Sequence, residues 1–267
     1  MGNKIVLVSA LALFSCNLPS AVAEESAVWT AGTGIHYSSG DYGTSATTTI
    51  LAIPFSARYE RGPWTLRASV SYLEISGPNS VIPGVGAVAN SNPRRRGGGT
   101  AATSQGSASG LGDVVTSATY EAYYDRATQF GVDLTGRLKL ATADPNQGLG
   151  TGANDVAALL DVFKTLDRLT LFAGAGYYML GSSSYIHLHS VWGGSLGGSY
   201  RIDERDSAGL TYDARRRASP ASSPQRELTA FYARWLDRAW KAQVYALSGF
   251  SNGSPDWGAG LSLAYSF

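Results

Sequence analysis

The sequence predicts an all-β fold, a transmembrane antiparallel up-and-down β-barrel of about twelve strands. Three observations point to it: the pattern of the last strand, the recurrence of that pattern along the chain, and the lengths of the connections between. In the last strand Trp257, Ala259, Leu261, Leu263, Tyr265 and Phe267 share one face, while Gly258, Gly260, Ser262, Ala264 and Ser266 share the other. Side chains of a strand alternate with period two. A continuous apolar face on such a strand suits lipid, where a closed barrel is the sheet that leaves no backbone edge unpaired.

The same alternation recurs upstream. Strand 1 is expected at about 27–37, with Trp29, Ala31, Thr33, Ile35 and Tyr37 outward, and strand 2 at about 49–60, with Leu51, Ile53, Phe55, Ala57 and Tyr59 outward. Strand 3 (64–75) turns out Trp64, Leu66, Ala68, Val70 and Tyr72, and strand 4 (113–124) turns out Val114, Ala118, Tyr120 and Tyr124. Strand 5 (130–142) is the clearest: Phe130, Val132, Leu134, Gly136, Leu138 and Leu140 alternate with Asp133, Thr135, Arg137 and Lys139. Charges on one face and an apolar band on the other reverse the order of a soluble ligand-binding barrel, whose interior is the apolar side. Strands 6 to 12 follow at about 154–165, 168–180, 189–202, 206–215, 227–236, 239–249 and 257–267. For strand 6, Val156-Ala-Ala-Leu-Leu-Asp-Val-Phe163 also reads as a buried helix, since a short apolar run does not choose between the two.

Every second connection is a tight polar turn, such as Glu60-Arg-Gly-Pro63 or Asp203-Glu-Arg-Asp206. Those between are longer and rich in Gly, Ser and Pro, notably 77–110, 142–153, 214–226 and 250–256. Short periplasmic turns alternating with long external loops are what an even-stranded bacterial barrel requires.

The N-terminus is expected to direct export. Residues 1–23 carry one charge, Lys4, then the apolar run Ile5–Phe14, Pro19 and the small-residue site Ala21-Val22-Ala23, the pattern of a signal peptide cleaved before Glu24. The barrel then occupies residues 24–267. Leu13-Phe-Ser-Cys16 offers a competing lipoprotein site, in which the bulky Phe14 fits poorly. Cys16 is the only cysteine, so the mature chain has no thiolate metal site or disulfide. Removal of Lys4 takes the basic count from 21 to 20 against 20 acidic residues, and this neutral balance does not suit nucleic acid.

Two groups are candidates for function. Arg58, Arg67, Asp113, Glu121, Asp133, Arg137, Lys139, Asp161, Arg201, Asp213, Arg234 and Lys241 are expected to point into the lumen, either lining a conduit or filling the interior with ion pairs. In the long 77–110 connection, Val81, Ile82, Val85 and Val88 belong to an apolar stretch poorly placed in open water, expected to fold into the mouth as a constriction. Arg94–Arg96 and Arg215–Arg217 fall on outer loops, where they can meet lipopolysaccharide phosphates or stay solvated. His187 and His189 lack a third ligand or acid at diagnostic spacing, so neither a metal site nor a hydrolase is expected. Gly148-Leu-Gly-Thr-Gly152 lacks the lysine and helix of a phosphate loop.

Several stretches resemble a family of bacterial outer-membrane transporters labelled as the MetA pathway of phenol degradation. They are Gly110-Leu-Gly-Asp-Val114, Leu138-Lys-Leu-Ala-Thr142 with Asp144, Leu149-Gly-Thr-Gly152 with Asp155, and Gly249-Phe-Ser-Asn-Gly-Ser-Pro-Asp-Trp-Gly258. The resemblance covers about residues 110–267. The family's Leu-Pro-Thr-Gly is replaced by Leu140-Ala-Thr-Ala143. It implies a Gram-negative outer-membrane channel for passive uptake of small apolar or aromatic molecules, with no catalytic residues and no cofactor. The alternative is a non-conducting barrel whose loops bind a ligand or surface partner. The expected partners are outer-membrane lipid and lipopolysaccharide, the barrel assembly machinery and a small-molecule solute.

Overall fold

The computed structural model describes residues 27–96 and 105–267, together with two short segments, Lys4–Val6 and Ser15–Asn17, that pair antiparallel. The expected cleavage site before Glu24 lies outside the described residues.

The main sheet has twelve strands: β1 Val28–Gly40, β2 Thr48–Arg61, β3 Trp64–Pro78, β4 in two segments Gln105–Leu111 and Val114–Asp125, β5 Phe130–Leu140, β6 Asp155–Leu166, β7 Leu169–Met179, β8 Val191–Arg201, β9 Asp206–Arg215, β10 Gln225–Trp235, β11 Trp240–Gly249 and β12 Trp257–Ser266. Each is antiparallel to the next. β12 returns to β1 with ten residue pairs from Trp257↔Ser39 to Ser266↔Thr30, so the sheet is closed and no strand edge is left over. The Phe267 amide adds a bond to the Trp29 carbonyl (2.8 Å). Val156–Phe163, the stretch that also read as a helix, lies within β6, which is paired along its length with β5 and β7.

Connections of two to four residues gather at one end of the barrel, and connections of seven to twenty-six at the other. The longest is shorter than its sequence suggested, because β3 runs on to Pro78 and β4 already begins at Gln105. β4 is interrupted by a bulge: Leu111 pairs with Tyr72 and Val115 with Ser69, one residue more on β4 than on β3.

The outward face is an apolar belt edged by aromatic rings. Four strands carry aromatics eight residues apart on that face: Trp29 and Tyr37, Trp64 and Tyr72, Trp192 and Tyr200, Trp257 and Tyr265. Eight residues span about 26 Å along a strand, or roughly 20 Å of height at the tilt of such barrels, close to the apolar band of an outer-membrane barrel. Neighbouring rings join in pairs at both edges, Trp29 with Tyr59 (4.8 Å) and Trp240 with Tyr265 (4.9 Å) at the turn end, and Tyr177 with Trp192 (5.0 Å) and Tyr37 with Trp257 (5.3 Å) at the loop end.

Two orientations differ from those the alternation suggests. Tyr124 faces inward and stacks on Phe163 (6.1 Å), because a second bulge, between the pairs Val132↔Tyr123 and Asp133↔Glu121, shifts the phase of β4 by one. Tyr123 takes the outward place against Phe130. Arg234 is on the outer face with Leu228, Ala230 and Tyr232, while Glu227, Thr229, Phe231 and Ala233 face in. It sits at the turn-end rim, where a charge clears the hydrocarbon, and shares Asp206 with the Tyr232 hydroxyl (3.3 and 2.8 Å).

Inward aromatic rings lie flat against the wall because the neighbouring strand offers glycine. A Cβ at Gly131 would strike the Phe163 ring and one at Gly260 the Tyr245 ring; at Gly209 it would lie 2.5 Å from Phe231. At Gly197 it would meet both the Phe172 ring and the Leu210 carbonyl oxygen (2.5 Å), whereas Gly136, on the outer face, has nothing within 4 Å. Gly197→Val should therefore destabilise the folded barrel by about 2 kcal/mol through overpacking. Gly136→Val should leave its denaturant midpoint in lipid vesicles unchanged.

Candidate functional site

The lumen wall carries two rows of charge set by strand register. Arg58 lies opposite Arg67, and Arg67 and Arg137 flank Ser117, which makes a basic arc across β2 to β5. A second row runs Glu121, Asp133, Asp161, Gly174, Ser195, Asp213, Glu227 from β4 to β10, every residue directly opposite the next. On β5 the two rows stand four residues apart, at Asp133 and Arg137, about 13 Å along the strand. On β5 the basic row thus stands nearer the loop end and the acidic row nearer the turn end.

The remaining lumen candidates are distributed as follows. Arg58, 5% exposed, pairs with Glu60 (2.5 Å). Lys241 is buried under the Trp235 ring (5.5 Å). Arg201 reaches the turn-end rim and donates to the Asp167 carbonyl (3.3 Å). Lys139 binds Asp155 (2.7 Å), Asp113 (3.4 Å) and the Thr151 hydroxyl (3.0 Å). Around that ammonium the loop-end residues of three strands converge. The Asp113 carboxylate in the β4 bulge accepts from the Ala143 amide (3.0 Å), Thr142 accepts from the Val114 amide (2.9 Å), and a Cβ on Gly150 would lie 2.8 Å from Asp113. The stretches Gly110–Val114, Leu138–Thr142 and Leu149–Gly152 are thus one knot tying β4, β5 and β6 at the mouth.

Above the aromatic edge the sheet inverts its polarity. On β3 the outward series changes from Tyr72 to Glu74 and Ser76, while the inward series changes from Arg67, Ser69 and Ser71 to Leu73 and Ile75. With Ile50, Ala52 and Ala108 these inward residues make an apolar seat at the loop end. The 79–96 segment folds across the mouth onto it. It contains a small hairpin, Val81–Ile82 with Gly86–Ala87, from which Val81 (0% exposed) packs on the seat. Ile82, Val85 and Val88 pack with Ile186, Val191 and Ala218 on the β7 to β9 side. The four residues expected at a constriction therefore bridge the mouth from wall to wall.

Two arginines assigned to outer loops by sequence hold this bridge. Arg96 is buried and donates to the carbonyls of Pro78 (2.7 Å), Val81 (3.3 Å) and Gln147 (3.3 Å). Burial pushes its guanidinium down to about 10, which leaves it charged at neutral pH. Arg215 extends the inward phase of Thr211 and Asp213 and donates to the Gly84 carbonyl (2.6 Å). Arg94 stays exposed, as do Arg216 and Arg217. Further ties join Asn92 to Asn146 (3.0 Å) and Ser91 to Tyr185 (3.1 Å). Among the described residues no group of three or more His, Cys, Asp or Glu side chains could hold a metal ion. His187 and His189 lie exposed in the loop before β8.

Below the bridge the wall of β6 to β10 is recessed. Gly174, Gly176, Gly193 and Gly194 floor a pocket whose rim is Asp161, Tyr178, Ser195, Asp213, Arg215 and Glu227.

Solved structures share this architecture. An outer membrane channel from Pseudomonas putida F1 superposes with a TM-score of 0.62 over 92% of this chain and 97% of that one, at 15% identity. A KdgM porin superposes with a TM-score of 0.50 over 88% of this chain and 99% of that one, at 11% identity. The chain has the fold of an outer-membrane channel. Neither a protein-family profile nor a curated protein sequence matches it.

The Lys139 knot predicts a specific energetic coupling. Lys139→Met would leave Asp113 and Asp155 without their cation in a largely buried site and should cost about 3 kcal/mol. Adding Asp113→Asn and Asp155→Asn should recover most of that loss in equilibrium urea unfolding.

Proposed function

We propose that the protein is an outer-membrane channel of a Gram-negative bacterium through which small molecules pass passively. The observation that carries this reading is the division of the wall: an apolar belt facing out and a charged, hydroxylated surface facing in, with the inward aromatic rings held flat over glycines rather than across the bore. A polar inner face needs water, and a water-lined bore through a membrane is a path for solutes. Its twelve strands lie between the filled eight-stranded barrels and the open sixteen-stranded porins, so width is set by what folds into the mouth. The long-loop end then faces the outside, and both ends of the strand sequence, β1 and β12, start and finish at the periplasmic rim.

The solutes we assign are small apolar or aromatic molecules. Val81, Ile82, Val85 and Val88 put an apolar bridge across the mouth, and Phe163, Phe172, Phe231 and Tyr245 line the wall below, surfaces on which an apolar body can slide without losing a hydrogen bond. The resemblance to the MetA-pathway transporters points the same way. Lipopolysaccharide around the outer rim and the barrel assembly machinery are the surroundings this fold would require, and residues 1–23 the segment that would direct export.

Purified protein in planar bilayers should show discrete conductance steps. Replacing residues 81–89 with a Gly-Ser stretch should raise the step size at least about twofold, since the bridge spans the mouth, while heat modifiability on gels is retained. Absence of steps in both proteins would contradict a channel and favour the alternative, a sealed barrel whose bridged loops bind a ligand.

A further inference from the structure

The recessed wall of β6 to β10 holds a carboxylate that the fold leaves unanswered. Asp161 is 6% exposed, and its carboxylate has no hydrogen bond or ion pair among the described residues. Burying such a group without a partner is costly, and it is aimed into the pocket. Its Oδ1 lies over Gly174, where a Cβ would collide with it, and the Ser195 hydroxyl oxygen is 2.9 Å from that same Cβ position on the other side. The glycine therefore clears a space that a carboxylate and a hydroxyl approach from opposite sides. Asp213 stands directly across Ser195, and Glu227 beside it, so three carboxylates border the recess against one guanidinium, that of Arg215. Arg215 is already bonded to the Gly84 carbonyl.

One step toward the turn end, the rings of Phe163 and Phe172 lie opposite each other on β6 and β7, with Tyr124 stacked on Phe163. An acceptor-rich recess beside aromatic faces suits a cation with N–H donors and an apolar body, through charge-assisted hydrogen bonds and cation–π contact. A bare metal ion suits it less, since the carboxylates are spread along a row rather than gathered around one point.

We propose that this recess is a binding subsite for small organic cations, an ammonium or guanidinium group carried on an apolar or aromatic body. The ammonium sits between Asp161 and Asp213 over Gly174 and Ser195, and the body lies toward Phe163 and Phe172. The inference rests on the channel reading for its role in transport, but binding itself does not require conduction.

Benzylammonium, benzoate and benzyl alcohol serve as probes of one shape and three charges. Titration calorimetry on the detergent-solubilised full chain should detect benzylammonium and not benzoate. Asp161→Asn and Asp213→Asn, each nearly isosteric, should each weaken it about tenfold, the loss expected for one charge-assisted contact. Glu204→Gln, which removes a charge from an exposed turn, should leave it unchanged. In proteoliposomes benzylammonium should enter faster than benzoate, with the ratio falling toward one in the two aspartate variants while benzyl alcohol flux stays the same. Binding without passage of any probe would sustain the subsite and overturn the channel. Passage of benzyl alcohol with no calorimetric binding of benzylammonium, or with binding equal in Asp161→Asn, would overturn the subsite and leave the channel standing.

Discussion

Closure of the sheet between β1 and β12 is the constraint on which the rest of the molecule depends. In hydrocarbon an unpaired amide or carbonyl has no water to turn to, and each one costs several kcal/mol. Ten register pairs and the Phe267 amide join the first and last strands of the sheet. Once the ring is shut, period-two alternation has only two faces to fill, one toward lipid and one toward the bore. The glycines opposite Phe163, Phe172, Phe231 and Tyr245 follow from the same economy of space, because rings facing into a twelve-stranded bore must lie along its wall if the bore is to stay open.

The polarity of the wall holds only as far as the membrane does. At Tyr72 the belt ends, and β3 and β4 continue upward with Glu74, Ser76, Ser107 and Ser109 outward and Leu73, Ile75 and Ala108 inward. Above the lipid the sheet is thus built as a soluble sheet would be, with its apolar face covered by chain. That cover is the 79–96 segment, and its burial explains why an apolar stretch sits in an otherwise polar loop. Arg96 and Arg215 fix it through backbone carbonyls, so the bridge is held by hydrogen bonds at both of its ends rather than by apolar contact alone.

Much of this was legible in the sequence, and the misses have particular causes. β5 was clear because every outward residue is apolar or glycine and every inward one from Asp133 to Lys139 is polar. Strand order and the short and long connections followed from turn chemistry. Tyr124 was misplaced because a bulge changes phase without leaving a mark in composition. β10 carries an aromatic and a charge on both faces, Phe231 and Glu227 against Tyr232 and Arg234, so its phase could not be chosen from residue types. Gln105–Leu111 looked like loop because glycine, serine and alanine are poor strand formers; its pairing with β3 overrides that preference. The sequence places Arg96 and Arg215 on outer loops, facing lipopolysaccharide phosphates or solvent, since their actual partners are backbone carbonyls, which no residue pattern announces. For Arg215 the inward phase of Thr211 and Asp213, carried two residues further, held the answer. The acidic row could not be seen at all before the strands were paired, because its members come from β4, β5, β6, β9 and β10.

The central claim is that the charged face is wet and the apolar face is in lipid. It is tested most directly by spin labels placed one at a time at positions 131 to 139 of β5 in reconstituted protein, a scan made simple by Cys16 being the only native cysteine. Collision with oxygen, which concentrates in lipid, should peak at 132, 134, 136 and 138. Collision with a water-soluble nickel complex should peak at 131, 133, 135, 137 and 139. Low nickel accessibility at all of the inward positions would mean a sealed interior, and the reverse phase would mean that the wall faces the other way; either would contradict a water-lined bore.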